Sequence, residues 1–420
     1  MNRRNIEIQV IEALRKGIPP QRGVNLYSVG NERLIEGIKN YHLSGLADRG
    51  IIRFLSGSWG SGKTHFFRLL REVAFDNNCL VSNVEINVND AALNKFERVF
   101  YSIIRNIVTP QFFSKVDSYE AAPFGSVLRE ALIFLSTGER TPFNEVSFEN
   151  FTQASEILFA ERSIDIDFKK MVQCYWQTFL PDAPDPLSQE RTREEILQWF
   201  SGEGSVSDYR KRFEVAKIIN KENSKIMFQS LASFVKLSGY SGLVILFDEA
   251  EQAYSIMRKS ALKDAHNNLL SLINNIEQLT GLFLIYATTP DFFTDPKHGI
   301  VIYGALAGRI GKPDQRSPRA LDTIWNFDEV VTELSDYQAA AKKIRDIYLS
   351  AYPSEKNVPN DTDMEDLVEN LQGMHPSLSP VGFWRVLVTA LISHLDDCLE
   401  GEVRPIEILY DDIMDRLREE

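Results

Sequence analysis

GSWGSGKT, residues 57–64, is the stretch on which the fold turns. It fits G-x-x-x-x-G-K-[ST], a loop that wraps its backbone N–H groups around phosphate oxygens. The apolar run Ile51–Leu55 precedes it and a helical pattern starts at Thr64, the strand–loop–helix setting that this chemistry requires. Gly57, Gly60 and Gly62 let the N–H groups turn inward to form an anion nest; Ser58, Trp59 and Ser61 complete the loop, and His65 follows it. The helix N-terminus adds its positive end to the same site. Lys63 is expected to reach the β- and γ-phosphates, and the Thr64 hydroxyl to ligate Mg2+.

A second stretch, LVILFDEAE at 243–251, reads as a buried strand that ends in two carboxylates. Asp248 is expected to complete the metal's protein ligands, usually through water, and Glu249 to polarise the attacking water. The two stretches together predict ATP and Mg2+ as cofactors and hydrolysis as the reaction. The competing reading is a Gly-rich turn beside an unrelated acidic strand end. Adenine is favoured as the base because no N-K-x-D-like guanine-reading segment follows the loop.

Composition sets the outer limits. With 420 residues, 44% hydrophobic and 25% charged, the chain is that of an ordinary globular protein of several domains. No apolar run is long enough for a membrane span, and the N-terminus lacks the pattern of a secretory signal. Cys79, Cys174 and Cys398 are widely spaced in apolar company, which fits a reduced, cytoplasmic setting without a metal site. A net charge of −13 argues against a surface coated for nucleic-acid binding, while leaving room for local basic patches.

Apolar runs at 51–55, 80–86, 243–247 and 282–286, with 323–327 as a fifth, suit parallel strands covered on both faces. Phe66, Phe67, Leu69, Leu70, Val73 and Ala74 form a broad stripe on the helix after the loop. The predicted class is therefore α/β, a three-layer P-loop NTPase core with a parallel sheet. Roughly 180 residues separate Lys63 from Asp248, where one or two strand–helix units suffice. A mostly helical insertion over 110–236 accounts for the excess. It divides the core into 1–109, which includes two N-terminal helices parted by Gly17-Ile18-Pro19-Pro20, and 237–330. Residues 331–420 read as a helical lid.

Several other residues carry two readings each. Thr288, ahead of Thr289 and Asp291, either orients the attacking water between loop and acidic strand or simply ends a strand. Arg309, in ALAGRI, is either an arginine finger for a neighbouring subunit's γ-phosphate or a surface residue. Arg385 either touches phosphate from the lid of the same subunit or has no such role. Arg210, Lys211, Arg212, Lys217, Lys221 and Lys225 either track a phosphate backbone or form a solvated helix face. Lys312, Arg316 and Arg319 are equally open.

With EALRKGIPP, YSVGNERL, FLSGSWGSGKTH, LVILFDEAE, the YGAL and RI words and SPVGFWRVLVTAL in view, the chain resembles the BrxD-like ATPases of bacteriophage exclusion (BREX) systems. The resemblance spans most of the chain outside the insertion. It implies an AAA+-like fold with a C-terminal helical lid, and the segment Tyr27–Leu34 resembles one that lies beside the base in that class. It also implies a prokaryotic anti-phage component acting with other defence proteins and with DNA, directly or through a partner, and possessing a homo-oligomeric option. The family pattern has Pro-Arg where this chain has Pro380-Val381, which leaves Arg385 to supply the lid's phosphate contact. Three functions stay open: a remodelling ATPase, a slow nucleotide-gated scaffold that docks a partner, and a DNA-stimulated translocase or helicase loader.

Overall fold

The computed structural model describes residues 3–87, 93–115, 123–140, 146–181, 185–250, 257–353, 358–376 and 382–419. Glu251, Pro380 and Val381 lie outside them. Six strands form one sheet: β1 (Ile51–Ser56), β2 (Cys79–Glu85), β3 (Ile107–Val108), β4 (Gly242–Asp248), β5 (Leu282–Thr288) and β6 (Ile324–Asn326). Their order is β3-β2-β4-β5-β1-β6. All neighbours are parallel except β2 and β3, which pair antiparallel through Val81↔Val108 and Ser82↔Ile107. The five parallel strands match the expected apolar runs to within one or two residues. The two-residue β3 is an addition, too short to show a period.

Alternation along the strands divides the sheet into two buried faces. One carries Phe54, Leu80, Val84, Leu243, Ile245, Leu284 and Tyr286 into a core shared with the helices of the insertion. The other carries Leu55, Val81, Val244, Leu246, Phe283 and Ile285 against the helix Lys63–Asp76, whose Phe66, Phe67, Leu70 and Val73 fill the layer. Burying a Phe or Leu side chain in this way contributes about 1.5–3 kcal/mol. Trp325 of β6 closes that face at the edge, edge-on to Phe66 with centroids 6.0 Å apart.

Much of the described chain between 110 and 236 is helical. Its helices include Pro123–Thr137, Phe148–Ala160, Ile166–Gln177, Pro186–Phe200 and Ser224–Leu237. Trp176 and Trp199 are fully buried there, and each satisfies its indole N–H on a backbone carbonyl, of Leu128 at 2.7 Å and Lys217 at 3.1 Å. Side-chain caps open Phe148–Ala160 (Ser147), Ile166–Gln177 (Asp165), Pro186–Phe200 (Asp185) and Val206–Phe213 (Ser205).

Among the described residues, four α-helices follow β6: Leu334–Ala351, Asp361–Met374, Phe383–Glu400 and Ile406–Glu419. The first helix of the chain, Arg3–Arg15, packs with them through Val10, Ile11 and Leu14, in a third core that also holds Ile344, Val368, Leu391 and Leu409. Glu7 is buried there and accepts from Ser350 Oγ at 2.6 Å and Arg3 Nε at 3.0 Å. No described helix is long and apolar enough to cross a membrane.

Candidate functional site

β1 ends at Ser56, the loop runs through Gly57–Gly62, and the helix starts at Lys63. Gly60 and Gly62 have φ of 79° and 91°, the left-handed region in which a Cβ is strained. Gly57 is required for space: an added Cβ would come 2.3 Å from Ser61 Oγ and 3.2 Å from Phe327 Cβ. Lys63 is buried, and its ammonium donates to the carbonyls of Gly57 (2.6 Å) and Ser58 (3.0 Å), so it braces the loop from inside. Trp59 projects into solvent at 69% exposure, with its ring 5.9 Å from Lys63 Nζ.

The sheet order brings the second motif to the first. β5 lies between β1 and β4, so Thr288 at its end stands between the loop strand and the acidic strand. Thr64 Oγ1 donates to Asp248 Oδ2 across 3.4 Å, and the Thr288 carbonyl accepts from Gly57 N–H at 3.1 Å. Ser56 and Thr288 are register partners. The hydroxyls of Ser56, Ser61 and Thr288 are all buried without a hydrogen-bond partner among the described residues. An unpaired buried hydroxyl costs about 1–3 kcal/mol, which phosphate oxygens or ordered water would relieve. This cluster of unsatisfied donors beside an anion nest fits a bound polyphosphate.

Electrostatics favour the same use. Burial raises the Asp248 carboxyl above its ordinary range, against the Glu249 N–H (3.0 Å from Oδ1) and the Lys63 charge, which lower it. Glu85, its register partner on β2, pushes it further up. Glu249 has φ of 56°, rare for a residue with a side chain, and such strain collects at functional positions. A carboxylate with a raised pKa weakens the fold as pH climbs, because the folded state then holds the charged form in a poorly solvated place. Asp248→Asn is therefore expected to raise the melting temperature of the nucleotide-free protein at neutral pH by about 1–2 °C. The same change should abolish the extra stabilisation given by ATP with Mg2+. Melting curves with and without ATP–Mg2+ check both parts; a drop in the nucleotide-free value would contradict the first.

His65 lies in the first turn of the loop helix. Its Nε2 is 2.8 Å from Ser28 Oγ and its Nδ1 is 3.3 Å from Tyr27 Oη. Burial, with the Arg68 charge nearby, pushes its pKa down to about 4, so the ring is neutral at neutral pH. Ser28 also accepts Lys343 Nζ on its carbonyl at 2.9 Å, which ties the loop helix to the helix Leu334–Ala351. Glu72, one side of that same loop helix, caps the turn before Tyr27 by accepting from Val24 N–H (3.1 Å) and Asn25 N–H (3.0 Å).

Arg385 lies beside the Gly17 turn, where an added Cβ on Gly17 would meet its Cγ at 3.0 Å. The start of its helix borders the loop: a Cβ on Gly382 would be 3.8 Å from the Gly60 carbonyl. Arg309 is different. It is exposed on the short helix Gly304–Ile310, and among the described residues nothing joins it to the loop by hydrogen bond or ion pair. In the insertion, Arg212 pairs with Glu195, Lys217 with Asp165 at 3.0 Å, and Lys225 reaches Ser271 Oγ at 3.1 Å, so much of that basic stretch is locally engaged. Arg316 is bound by Asp314 and Asp322. One loop contact carries no sequence signal: Ser58 donates both N–H and Oγ–H to Asp328.

Residues 2–411 match the family described as BREX system ATP-binding protein BrxC/D. The chain belongs to this family. No curated protein and no solved structure matches the chain. As a BrxC/D family member it is an ATP-binding component of a BREX defence system, whose other proteins are its partners. The braced loop and its unpaired hydroxyls offer this BrxC/D chain a place suited to phosphate oxygens.

Proposed function

We propose that this BrxC/D chain hydrolyses ATP at the loop and couples its nucleotide state to the assembly or remodelling of DNA-associated partners in the defence system. The observation that carries the reading is the approach of Thr64 Oγ1 to Asp248 Oδ2 at 3.4 Å, with Glu249 next in the chain. In this reading Thr64 and Asp248 hold Mg2+, which neutralises charge on the β- and γ-phosphates when bound. The loop from Gly57 to Thr64 and His65 carries the triphosphate, with Lys63 as its fixed cation. Glu249 takes the proton from the attacking water, and Thr288 positions that water.

An AAA+ assignment agrees with the strand between loop strand and acidic strand, and with helices after β6 whose third member starts beside Gly60. Arg309 then serves a neighbouring copy, and Arg385 reaches phosphate from the lid. Because Arg309 is exposed and makes no hydrogen bond or ion pair to its own loop among the described residues, the active form in this reading is an oligomer, in a cytoplasmic setting. The domain division at 110, 237 and 331 belongs to the same reading. If the site never turns over quickly, the chain is instead a nucleotide-gated scaffold.

The test is steady-state ATP hydrolysis over a range of protein concentrations, with and without duplex DNA. Specific activity is expected to rise with concentration as sites become shared, and to fall at least tenfold in Arg309→Ala, in line with the loss of a finger. A rate that stays very low and flat, indifferent to DNA, would sink the remodelling reading in favour of the scaffold. DNA stimulation that weakens steeply with salt would point to direct phosphate contacts.

A further inference from the structure

The loop is held from two sides through a single residue, Ser58. On the inner side its carbonyl accepts Lys63 Nζ at 3.0 Å. On the outer side its N–H donates to Asp328 Oδ1 at 2.8 Å and its hydroxyl to Asp328 Oδ2 at 2.9 Å. A carboxylate that takes both donors of one residue fixes the plane of the adjoining peptide, and charge-assisted bonds of this length are roughly twice as strong as neutral ones. The Ser58 N–H shares its peptide plane with the Gly57 carbonyl, which accepts Lys63 Nζ at 2.6 Å, so the orientation of that plane helps to set where Lys63 rests its ammonium.

Asp328 is itself well fixed. Ser56 and Asn326 are register partners on β1 and β6, and Ser58 and Asp328 each lie two residues beyond them. Asp328 N–H donates to Asn326 Oδ1 at 3.3 Å, closing a 3-10 turn over Phe327–Glu329, and Asn326 Nδ2 donates to the Asp314 carbonyl at 2.8 Å. Phe327, between them, backs directly on Gly57. The chain then runs within a few residues to the helix Leu334–Ala351, whose Lys343 holds Ser28.

We propose that Asp328 is a positioning residue for the phosphate loop: through Ser58 it sets the Lys63 ammonium, and it fastens the loop to the connector that leads into the C-terminal helices. This rests on the loop being the ATP site. It acts on no reacting atom, so its effect should appear in nucleotide affinity.

The experiment is calorimetric titration of the full chain with ATP–Mg2+, for the wild type, Asp328→Ala, Asp328→Asn, Ser58→Ala and the double variant Ser58→Ala/Asp328→Ala. Asp328→Ala is expected to weaken binding about five- to tenfold, less than the full strength of charge-assisted bonds because the contact is exposed and acts on the nucleotide only through Lys63. Asp328→Asn, which keeps an acceptor for the Ser58 N–H, should recover most of the loss. The double variant should be little worse than Asp328→Ala alone, since both changes remove parts of one contact. Melting temperatures of the nucleotide-free proteins should agree closely, because both side chains are exposed. Wild-type affinity in Asp328→Ala would overturn the proposal. So would a loss that Asn does not recover and that follows a lowered melting temperature, which marks general destabilisation. The readout is binding, so a chain that binds ATP without hydrolysing it would refute the enzymatic reading and leave this measurement valid.

Discussion

Glu249→Gln is expected to remove ATP turnover while leaving ATP binding near the wild-type level. The substitution exchanges one oxygen for an NH2 group and so keeps size and shape, but it replaces a basic carboxylate with an amide that cannot take a proton from water. A positioned base contributes about 10²–10⁴-fold to rate. Loss within that range, in single-turnover assays with saturating ATP, is the expected outcome. Binding persists because the anion nest, Lys63 and Asp248 are untouched. The left-handed backbone at Glu249 is as strained for Gln as for Glu, so the melting temperature should not move. Turnover within threefold of the wild type would exclude Glu249 as the base and direct attention to another carboxylate.

Lys63→Ala carries the second large effect. Its ammonium braces the Gly57 and Ser58 carbonyls, and both would lose a charged donor. The loop then loses its internal strut together with the cation proposed to face the phosphates. Hydrogen bonds to charged groups contribute about 1.5–3 kcal/mol, and two such losses predict ATP affinity lowered by roughly 100-fold or more. Lys63→Arg should not rescue it, since a planar guanidinium cannot sit between two carbonyls in that buried space. Equilibrium binding of ATP–Mg2+ checks this, and unchanged affinity in Lys63→Ala would mean the nucleotide lies elsewhere.

How much of this was legible beforehand differs by residue. The loop and acidic strand carry local signals: glycines where the backbone must turn, and an apolar run that stops at carboxylates. Their meeting at 3.4 Å depends on β5 passing between two strands far apart in sequence, and no local pattern states that order. Thr288 was accessible because a strand end of its kind is recognisable. Asp328 was not, because its partner Ser58 is 270 residues away and the contact follows from the register of β1 and β6. The helix Arg3–Arg15 showed an apolar face, but periodicity does not say which surface covers a face, and here it is the C-terminal helices. Asp361–Met374 carries a weak local signal, its apolar pattern being interrupted by acidic residues.

The continuous core beneath the sheet has a mechanical meaning. Leu243, Ile245 and Phe247 of the acidic strand rest on the same packed layer as Trp176, Phe200 and Leu231 of the insertion. Close-packed interiors are stiff and pass displacement on rather than absorb it. A load applied to the outer helices would thus be felt along β4 toward Asp248, as a lever bears on its fulcrum. Excising 110–236 would uncover much of the core on one side of the sheet, so the segment is better probed by surface substitutions than by removal.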